Sequence, residues 1–428
     1  MKQWWTICCL FVLIPLFGWT QTEGPIKVEM VQENGKWTLL RGGEPYFVKG
    51  VGGKTYLDQA AAYGANSLRT WSPDGAQEIL DQAHERNMTV LMGLWVGQER
   101  QGFDYDDAKA VKAQLEGFRQ VVREFKDHPA LLMWGIGNEN DLFYSNFKVW
   151  NAIEDLAAMI HEEDPNHPTM TVTAGLDVAE VQLIQERAPS IDIYGINTYA
   201  GLLGVGKELR QFGWERPYMI TEWGPNGHWE VPKTTWGAPI EQSSTEKAAS
   251  YRERYEKGIA NDPEMCVGSY VFLWGHKQET TGTWYGVFLE DGTETEVMDV
   301  LEYVWTGDWP ANRAPHIERF RINNKTVFES VTTRPGGICS IDLDVSDPDG
   351  DPLEYQWELL PESTDIKSGG DAESKPEAVR FKIIKQTQGN MQFRAPVKEG
   401  AYRMFVTVYD GNGNAGTVNL PFFVREGS

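Results

Sequence analysis

Ala130-Leu-Leu-Met-Trp-Gly-Ile-Gly-Asn-Glu139 is an unbroken apolar run that ends on a carboxylate, and Pro217-Tyr-Met-Ile-Thr-Glu222 repeats the arrangement further along the chain. A strand in a parallel sheet covered on both faces reads as such a run, without polar alternation. A charge at its end costs desolvation that a purely structural residue would avoid. Two carboxylates where buried strands meet solvent suit chemistry that needs a proton donor and a base or nucleophile, such as cleavage of a glycosidic bond.

Working outward, comparable runs recur at 46–51, 66–71, 88–96, 170–173, 191–199 and 266–274, which with the first two make eight predicted strands. Helical spacing fills the intervals, most clearly at 106–126, 146–163, 244–259 and 295–305. One alternating series of this length predicts an α/β fold of the (β/α)₈ TIM-barrel type rather than a doubly wound open sheet. Gly50-Val-Gly-Gly53 follows the first strand without the third glycine of a dinucleotide fingerprint, so it reads as close packing. Before the barrel, 26–32 and 37–41 alternate apolar and polar residues across Asn34-Gly35, which predicts a short N-terminal hairpin.

After Trp305, Gly307-Asp-Trp-Pro310 and Asn312-Arg-Ala-Pro315 form a turn-rich connection. Beyond it, alternating segments at 340–345, 353–359, 378–384 and 402–409, divided by Asp-Pro-Asp-Gly and Asp-Gly-Asn-Gly turns, predict a C-terminal immunoglobulin-like β-sandwich. The expected plan is a leader at 1–20, a catalytic barrel with its hairpin at 21–310 and the sandwich, expected to brace it, at 311–428.

In the leader, Lys2 precedes an apolar stretch from Trp4 to Phe17 and small residues at Gly18 and Thr20, the pattern of a secretory signal cleaved before Gln21. A secreted or periplasmic location follows, and the stretch is short for a membrane span. Cys8 and Cys9 precede most of the apolar stretch, whereas a lipid-anchored cysteine would follow it, so cell-surface anchoring is the lesser reading. Cys266 and Cys339 alone remain in the mature chain, in different predicted domains, and no disulfide framework is expected.

With 24% charged and 41% hydrophobic residues over 428 positions the chain is ordinary globular material, but its net charge of −23 is not. Such a surface repels nucleic acid and anionic lipid, and opposes polyanionic substrates such as uronate-rich polysaccharides. The expected partner of this chain, read as a monomer without cofactor, is a neutral polysaccharide or oligosaccharide. His161-Glu-Glu-Asp-Pro-Asn-His167 gathers metal-ligating residue types, yet it lies where Pro165 ends a helix and reads as a solvated terminus, so no metal is assigned. Asp347-Pro-Asp-Gly-Asp351 lacks the spacing and distal glutamate of a calcium loop and reads as a turn.

The segment from Asp127 to Glu139, with its Asn-Glu ending, resembles the fourth-strand motif of the retaining (β/α)₈ glycoside hydrolases of clan A, and Thr221-Glu222-Trp223-Gly224 resembles their seventh-strand motif. The resemblance implies that Glu139 is the general acid/base and Glu222 the nucleophile. It also matches Arg69, in Asn66-Ser-Leu-Arg-Thr-Trp71, to the second-strand arginine that supports the nucleophile, and Tyr199 to the sixth-strand tyrosine. Within the clan, the stretches 46–51 and 273–286 resemble family 2-type barrels and fungal β-1,3-glucanosyltransferases. The lone barrel with a trailing immunoglobulin-like domain resembles the bacterial endo-β-1,3-glucanases of glycoside hydrolase family 158.

An endo-β-1,3-glucanase acting on a neutral β-glucan is therefore expected. The alternatives are a transglycosylase, an exo-acting β-glycosidase, and a non-catalytic carbohydrate-binding barrel. Asn138 is expected to donate to the sugar 2-hydroxyl. Trp71, Trp95, Trp223 and Trp274, at or near strand ends, are expected to supply stacking surfaces for sugar rings, and Trp134, in mid-strand, to be core.

Overall fold

The computed structural model describes residues 24–427, so the leader at 1–20, with Cys8 and Cys9, lies outside the described residues. The described chain begins with the antiparallel hairpin β1 (Val28–Glu33) and β2 (Lys36–Arg41), with the short β3 (Glu44–Pro45) beside β2. Asn34 and Gly35 both take positive φ, the twist that joins two strands through a two-residue turn. The hairpin buries Val28 and Leu39 against the barrel-strand side chains Val48, Met133, Met170 and Met219. Trp37 donates its indole N–H to the Glu215 carbonyl, in a loop that leads into a barrel strand. The hairpin thus plugs the end of the barrel opposite the strand C-termini.

The apolar runs form a closed parallel barrel in chain order. Its strands are β4 (Val48–Gly52), β5 (Ser67–Arg69), β6 (Thr89–Leu94) and β7 (Leu131–Ile136). They continue with β8 (Thr169–Ala174), β9 (Ile193–Asn197), β10 (Tyr218–Trp223) and β11 (Cys266–Val271), which pairs back to β4. All eight predicted strands are present, and most are shorter than their apolar runs. The run ending at Glu139 leaves the ladder after Ile136, because Gly137 at φ 75° and Glu139 at φ 52° turn the backbone over the mouth.

Helices α1 (Leu57–Ala62), α2 (Ala76–Glu85), α3 (Ala108–Phe125) and α4 (Lys148–Glu163) follow the first four strands. After them come α5 (Val178–Arg187), α6 (Val205–Gln211), α7 (Ser244–Arg254) and α8 (Glu296–Thr306). Several starts are written in the sequence. Asp107 caps α3 by accepting from the Lys109 and Ala110 amides, and Ser243 with Glu246 forms a reciprocal capping box on α7. The predicted helix 244–259 is α-helical only to Arg254, and residues 255–259 widen into a π turn.

A two-residue strand, β12 (Glu294–Thr295), precedes α8 and pairs in parallel with the last strand of the sandwich, β20 (Asn414–Val424). That sheet continues through β19 (Gly400–Tyr409) and β16 (Glu354–Pro361), with β14 (Thr332–Thr333) also on β20. The facing sheet runs β13 (His316–Ile322), β15 (Ile338–Ser346), β18 (Asn390–Arg394) and β17 (Lys382–Thr387). Ile322, Cys339, Phe393, Met404, Val406 and Phe422 fill the space between them. The run expected at 378–384 begins its strand only at Lys382, on an exposed edge.

Buried hydrogen bonds cross the seam between barrel and sandwich. Buried Arg403 donates to the Pro239 carbonyl and pairs with Glu362, while Asn419 donates to Glu241 at 2.6 Å. Cys266 and Cys339 are both buried and free. His161 lies 2.8 Å from Asp192 and His167 2.8 Å from Asp164, so each histidine is occupied by a structural partner. Asp347 accepts the amides of Asp349 and Asp351, which is turn chemistry. Among the described residues no helix is long and apolar enough to cross a membrane.

Candidate active site

Because every barrel strand runs the same way, the residues that end the strands meet at one mouth. Glu222 lies within β10, and Glu139 stands three residues beyond β7. Glu139 holds a left-handed backbone conformation, which costs a non-glycine residue about 1 kcal/mol and is held here by its amide donating to the Val172 carbonyl at 2.9 Å. Both carboxylates line one cleft of about 640 Å³.

Glu222 is held at both oxygens. Its Oε1 accepts from Arg69 Nη1 at 3.1 Å and Trp71 Nε1 at 2.8 Å, and its Oε2 accepts from the Tyr199 hydroxyl at 3.2 Å. Arg69, only 2% exposed, also donates to the Thr221 carbonyl at 2.7 Å and to Asn138 Oδ1 at 2.6 Å. Burial depresses the Arg69 guanidinium, and Glu222 and then Glu139 oppose that depression. These three donors fix the Glu222 carboxyl group in one orientation at the mouth.

Glu139 has the opposite surroundings. Burial, and then repulsion from the Glu222 charge, push its carboxyl up to about 8, against a smaller downward pull from Asn197 and Arg69. Glu139 thereby keeps its proton in the cleft it shares with Glu222, which is what an acid facing a nucleophile needs.

Asn197 connects the two sides. Its Nδ2 donates to Glu139 Oε1 at 2.9 Å and to Asn138 Oδ1 at 3.1 Å, while its Oδ1 accepts from Thr221 Oγ1 at 2.8 Å and Arg69 Nη1 at 3.3 Å. The sequence reading passed over Asn197, although it ends the run Ile193-Tyr-Gly-Ile-Asn197 at the mouth, the same signal that marks Glu222. Asn197→Ala is expected to lower kcat about 10²-fold with a smaller change in KM, since Glu139 loses its donor and Arg69, which holds Glu222, loses an acceptor. Steady-state kinetics on one substrate checks this.

Asn138 receives two donors on Oδ1, and its Nδ2 has no acceptor among the described residues. Since Asn138 lines the cleft, that amide is free to meet a sugar hydroxyl. Trp71 and Trp95 also line the cleft, as the sequence suggested, joined by Phe143, Trp229 and Phe272.

Two of the four tryptophans do not belong there. Trp223 is fully buried against Tyr251 and Tyr255 behind the barrel wall, because alternation along β10 points it away from the face that carries Glu222. Trp274 is 1% exposed, donates to the Tyr56 carbonyl and packs on Phe288 and Trp305. Both are core residues, as is Trp134, whose indole N–H meets Asp164. Trp223→Ala should cost about 3–5 kcal/mol of stability and leave the KM of the folded fraction unchanged, read by thermal melts and kinetics.

The cleft is acidic. Glu230 and Glu279 join Glu139 and Glu222 in its lining, whereas Lys277 is taken up by Glu279 at 2.7 Å and the Gly370 carbonyl at 2.8 Å. Burial keeps His228 below its usual range, hence neutral. Among the described residues no unpaired cation lines the cleft, and no group of three or more His, Cys, Asp or Glu is placed to hold a metal.

Residues 82–228, which include both glutamates, match the family described as glycosyl hydrolases family 2, TIM barrel domain. The chain is 23% identical over 280 residues to the β-glucuronidase of Chlorocebus aethiops and 22% identical over 278 residues to that of Sus scrofa. In both cases the alignment covers 62% of this chain and 36% of the relative, so the chain spans about a third of the length of these curated relatives.

Among solved structures, β-glucuronidase from Bifidobacterium dentium, complexed with coumarin-3-O-glucuronide, superposes with a TM-score of 0.53 at 20% identity, covering 67% of this chain and 50% of that one. A Bacteroides uniformis β-glucuronidase superposes with a TM-score of 0.50 at 15% identity, covering 93% of this chain and 48% of that one. At these identities the structural likeness establishes the fold. Within that fold, residues 82–228 are similar to the family 2 TIM-barrel domain.

Proposed function

We propose that the protein is a retaining β-glycosidase that cleaves a neutral β-glucan. The observation that carries this reading is the pair of unlike carboxyl groups in one cleft, Glu222 clamped by Arg69, Trp71 and Tyr199, and Glu139 pushed up to about 8. Glu222 attacks the anomeric carbon while Glu139 gives its proton to the departing glycosidic oxygen. Glu139, now a carboxylate, then takes a proton from water, which displaces Glu222 and restores both groups. Asn138 Nδ2 serves the hydroxyl next to the anomeric carbon, where a hydrogen bond strengthens as positive charge grows on the ring.

The relatives named above are β-glucuronidases, and a glucuronide is the competing substrate. A uronate carboxylate would add a fifth acidic group beside Glu139, Glu222, Glu230 and Glu279 with no unpaired cation among the described residues to receive it. Burying an unpaired charge there is costly, so a neutral sugar is favoured. Phe143 and Trp229, 70% and 56% exposed on the cleft rim, offer stacking faces beyond a single ring, which favours oligosaccharide chains and endo attack. The β-1,3 linkage rests on the sequence resemblance alone, and export from the cytoplasm on the leader read at 1–20.

Aryl β-glucoside, β-galactoside and β-glucuronide, together with β-1,3- and mixed-linkage gluco-oligosaccharides, form the decisive panel. Hydrolysis of the glucosides with retention, followed by proton NMR of the first-formed anomer, is the expected result. A preference for the glucuronide would overturn the neutral-substrate reading, and a first-formed α-anomer would overturn retention.

A further inference from the structure

The barrel does not wall its own cleft on every side. The connections after β6, β7, β10 and β11 are long, at 95–107, 137–147, 224–243 and 272–293, but those after β8, at 175–177, and on the opposite flank after β4 and β5, at 53–56 and 70–75, are short. On that low flank a segment of the sandwich, from the connection between β16 and β17, crosses the mouth, and Ser368, Gly369 and Gly370 line the cleft alongside the catalytic carboxylates.

The crossing is pinned at both ends. Arg100, beyond β6, pairs with Asp371 at 3.1 Å and donates to the Gly369 carbonyl, and beyond β11 the Thr280 amide donates to Glu373 at 2.6 Å. Lys277 donates to the Gly370 carbonyl on the same side. The sequence suits so close an approach. Gly369 and Gly370 both adopt positive φ, and a Cβ on Gly369 would come within 2.7 Å of Arg100 and 3.0 Å of Leu142. A loop that merely braced two domains would need neither paired left-handed glycines nor exposure to the cleft.

We propose that residues 366–373 of the sandwich form the missing wall of the cleft and bind the sugar adjacent to the one being cleaved, so that oligosaccharide recognition is shared between the two domains. Glycines at 369 and 370 let the strap pack closely on Arg100 and Lys277, which holds its backbone and Ser368 at the cleft surface for a sugar to contact. Asp371 and Glu373 act as positioning residues, since they anchor the strap and do not line the cleft. This inference rests on the β-glycosidase reading for its substrate class, but not for its geometry.

The test pairs two substrates, an aryl β-monoglucoside and a neutral β-gluco-oligosaccharide, with the full-length protein. Asp371→Ala combined with Glu373→Ala should raise the oligosaccharide KM about tenfold with kcat held, while kcat/KM on the aryl monoglucoside stays within about twofold. Asp371→Glu should restore most of the lost affinity. Should the unpinned protein melt early, replacing 366–373 by two glycines gives the same comparison without strain.

An equal change on both substrates, or none on either, overturns the proposal. Oligosaccharide binding followed by tryptophan fluorescence separates this from failure of the enzymatic reading. A wild-type protein that binds the oligosaccharide but cleaves nothing refutes the glycosidase, whereas binding unchanged by strap removal refutes the wall.

Discussion

Glu222→Ala should reduce turnover of a β-glucoside by about 10⁴-fold or more, the scale seen when an enzyme loses the nucleophile of a concerted set. Azide added to this variant should restore cleavage and yield the α-glycosyl azide. The small anion fits the space the side chain vacates and attacks from the same face, while Glu139 still protonates the leaving oxygen. The clamp of Arg69, Trp71 and Tyr199 around the vacated position should survive, because each has further packing or hydrogen bonds of its own. Residual activity within tenfold of wild type, or a β-azide product, would remove Glu222 from the nucleophile role.

Glu139→Ala should behave differently with each substrate and with pH. An unactivated oligosaccharide, which needs its leaving oxygen protonated, should lose about 10²–10⁴-fold in rate. An aryl glycoside with a good leaving group should still form the covalent intermediate, which then accumulates because no base activates water. Azide should here give the β-glycosyl azide. In the wild-type protein the carboxyl is protonated below about 8 and ionised above it, so activity should fall as pH rises through that value. The alkaline limb should vanish in the variant.

The same shift has a stability consequence. Between an unfolded-state carboxyl near 4.3 and the folded value of about 8, the native protein holds a proton that the unfolded chain has released. Stability therefore declines as pH rises across that interval. Glu139→Gln, neutral throughout, should melt higher than wild type, most clearly at and above pH 8 and least near pH 4. Melting curves across that range that coincide for the two proteins would contradict the burial of Glu139.

Much of this was legible in the residues. Apolar runs such as 130–136 and 218–223, in alternation with helical patterns, read as covered strands, and their ends locate the mouth without any coordinates. Arg69 and Tyr199, matched through the resemblance to clan A, stand against Glu222, and Asn138, next to Glu139 in the chain, accepts from Arg69. The rule failed for Trp223 and Trp274, because a strand's period of two sends the neighbour of an inward residue outward, and nearness to a strand end does not reveal which face it takes. The bridging role of Asn197 was hidden for another reason. An amide in an apolar run is unremarkable until the groups on either side of it, 58 and 128 residues away, are brought within hydrogen-bonding distance.

What the sequence by itself determined is the chemistry along each strand: hydrophobic periodicity, turn residues and a carboxylate at the end of two buried runs. These depend on a residue and its near neighbours, and so they are written locally. Only the tertiary structure decided the rest: the burial that raises Glu139, the absence of an unpaired cation among the described cleft residues, and the arrival of Ser368–Gly370 from the sandwich. Burial, charge coupling and enclosure are sums over groups distant in the chain, and they acquire values only when the barrel closes and the sandwich docks on it.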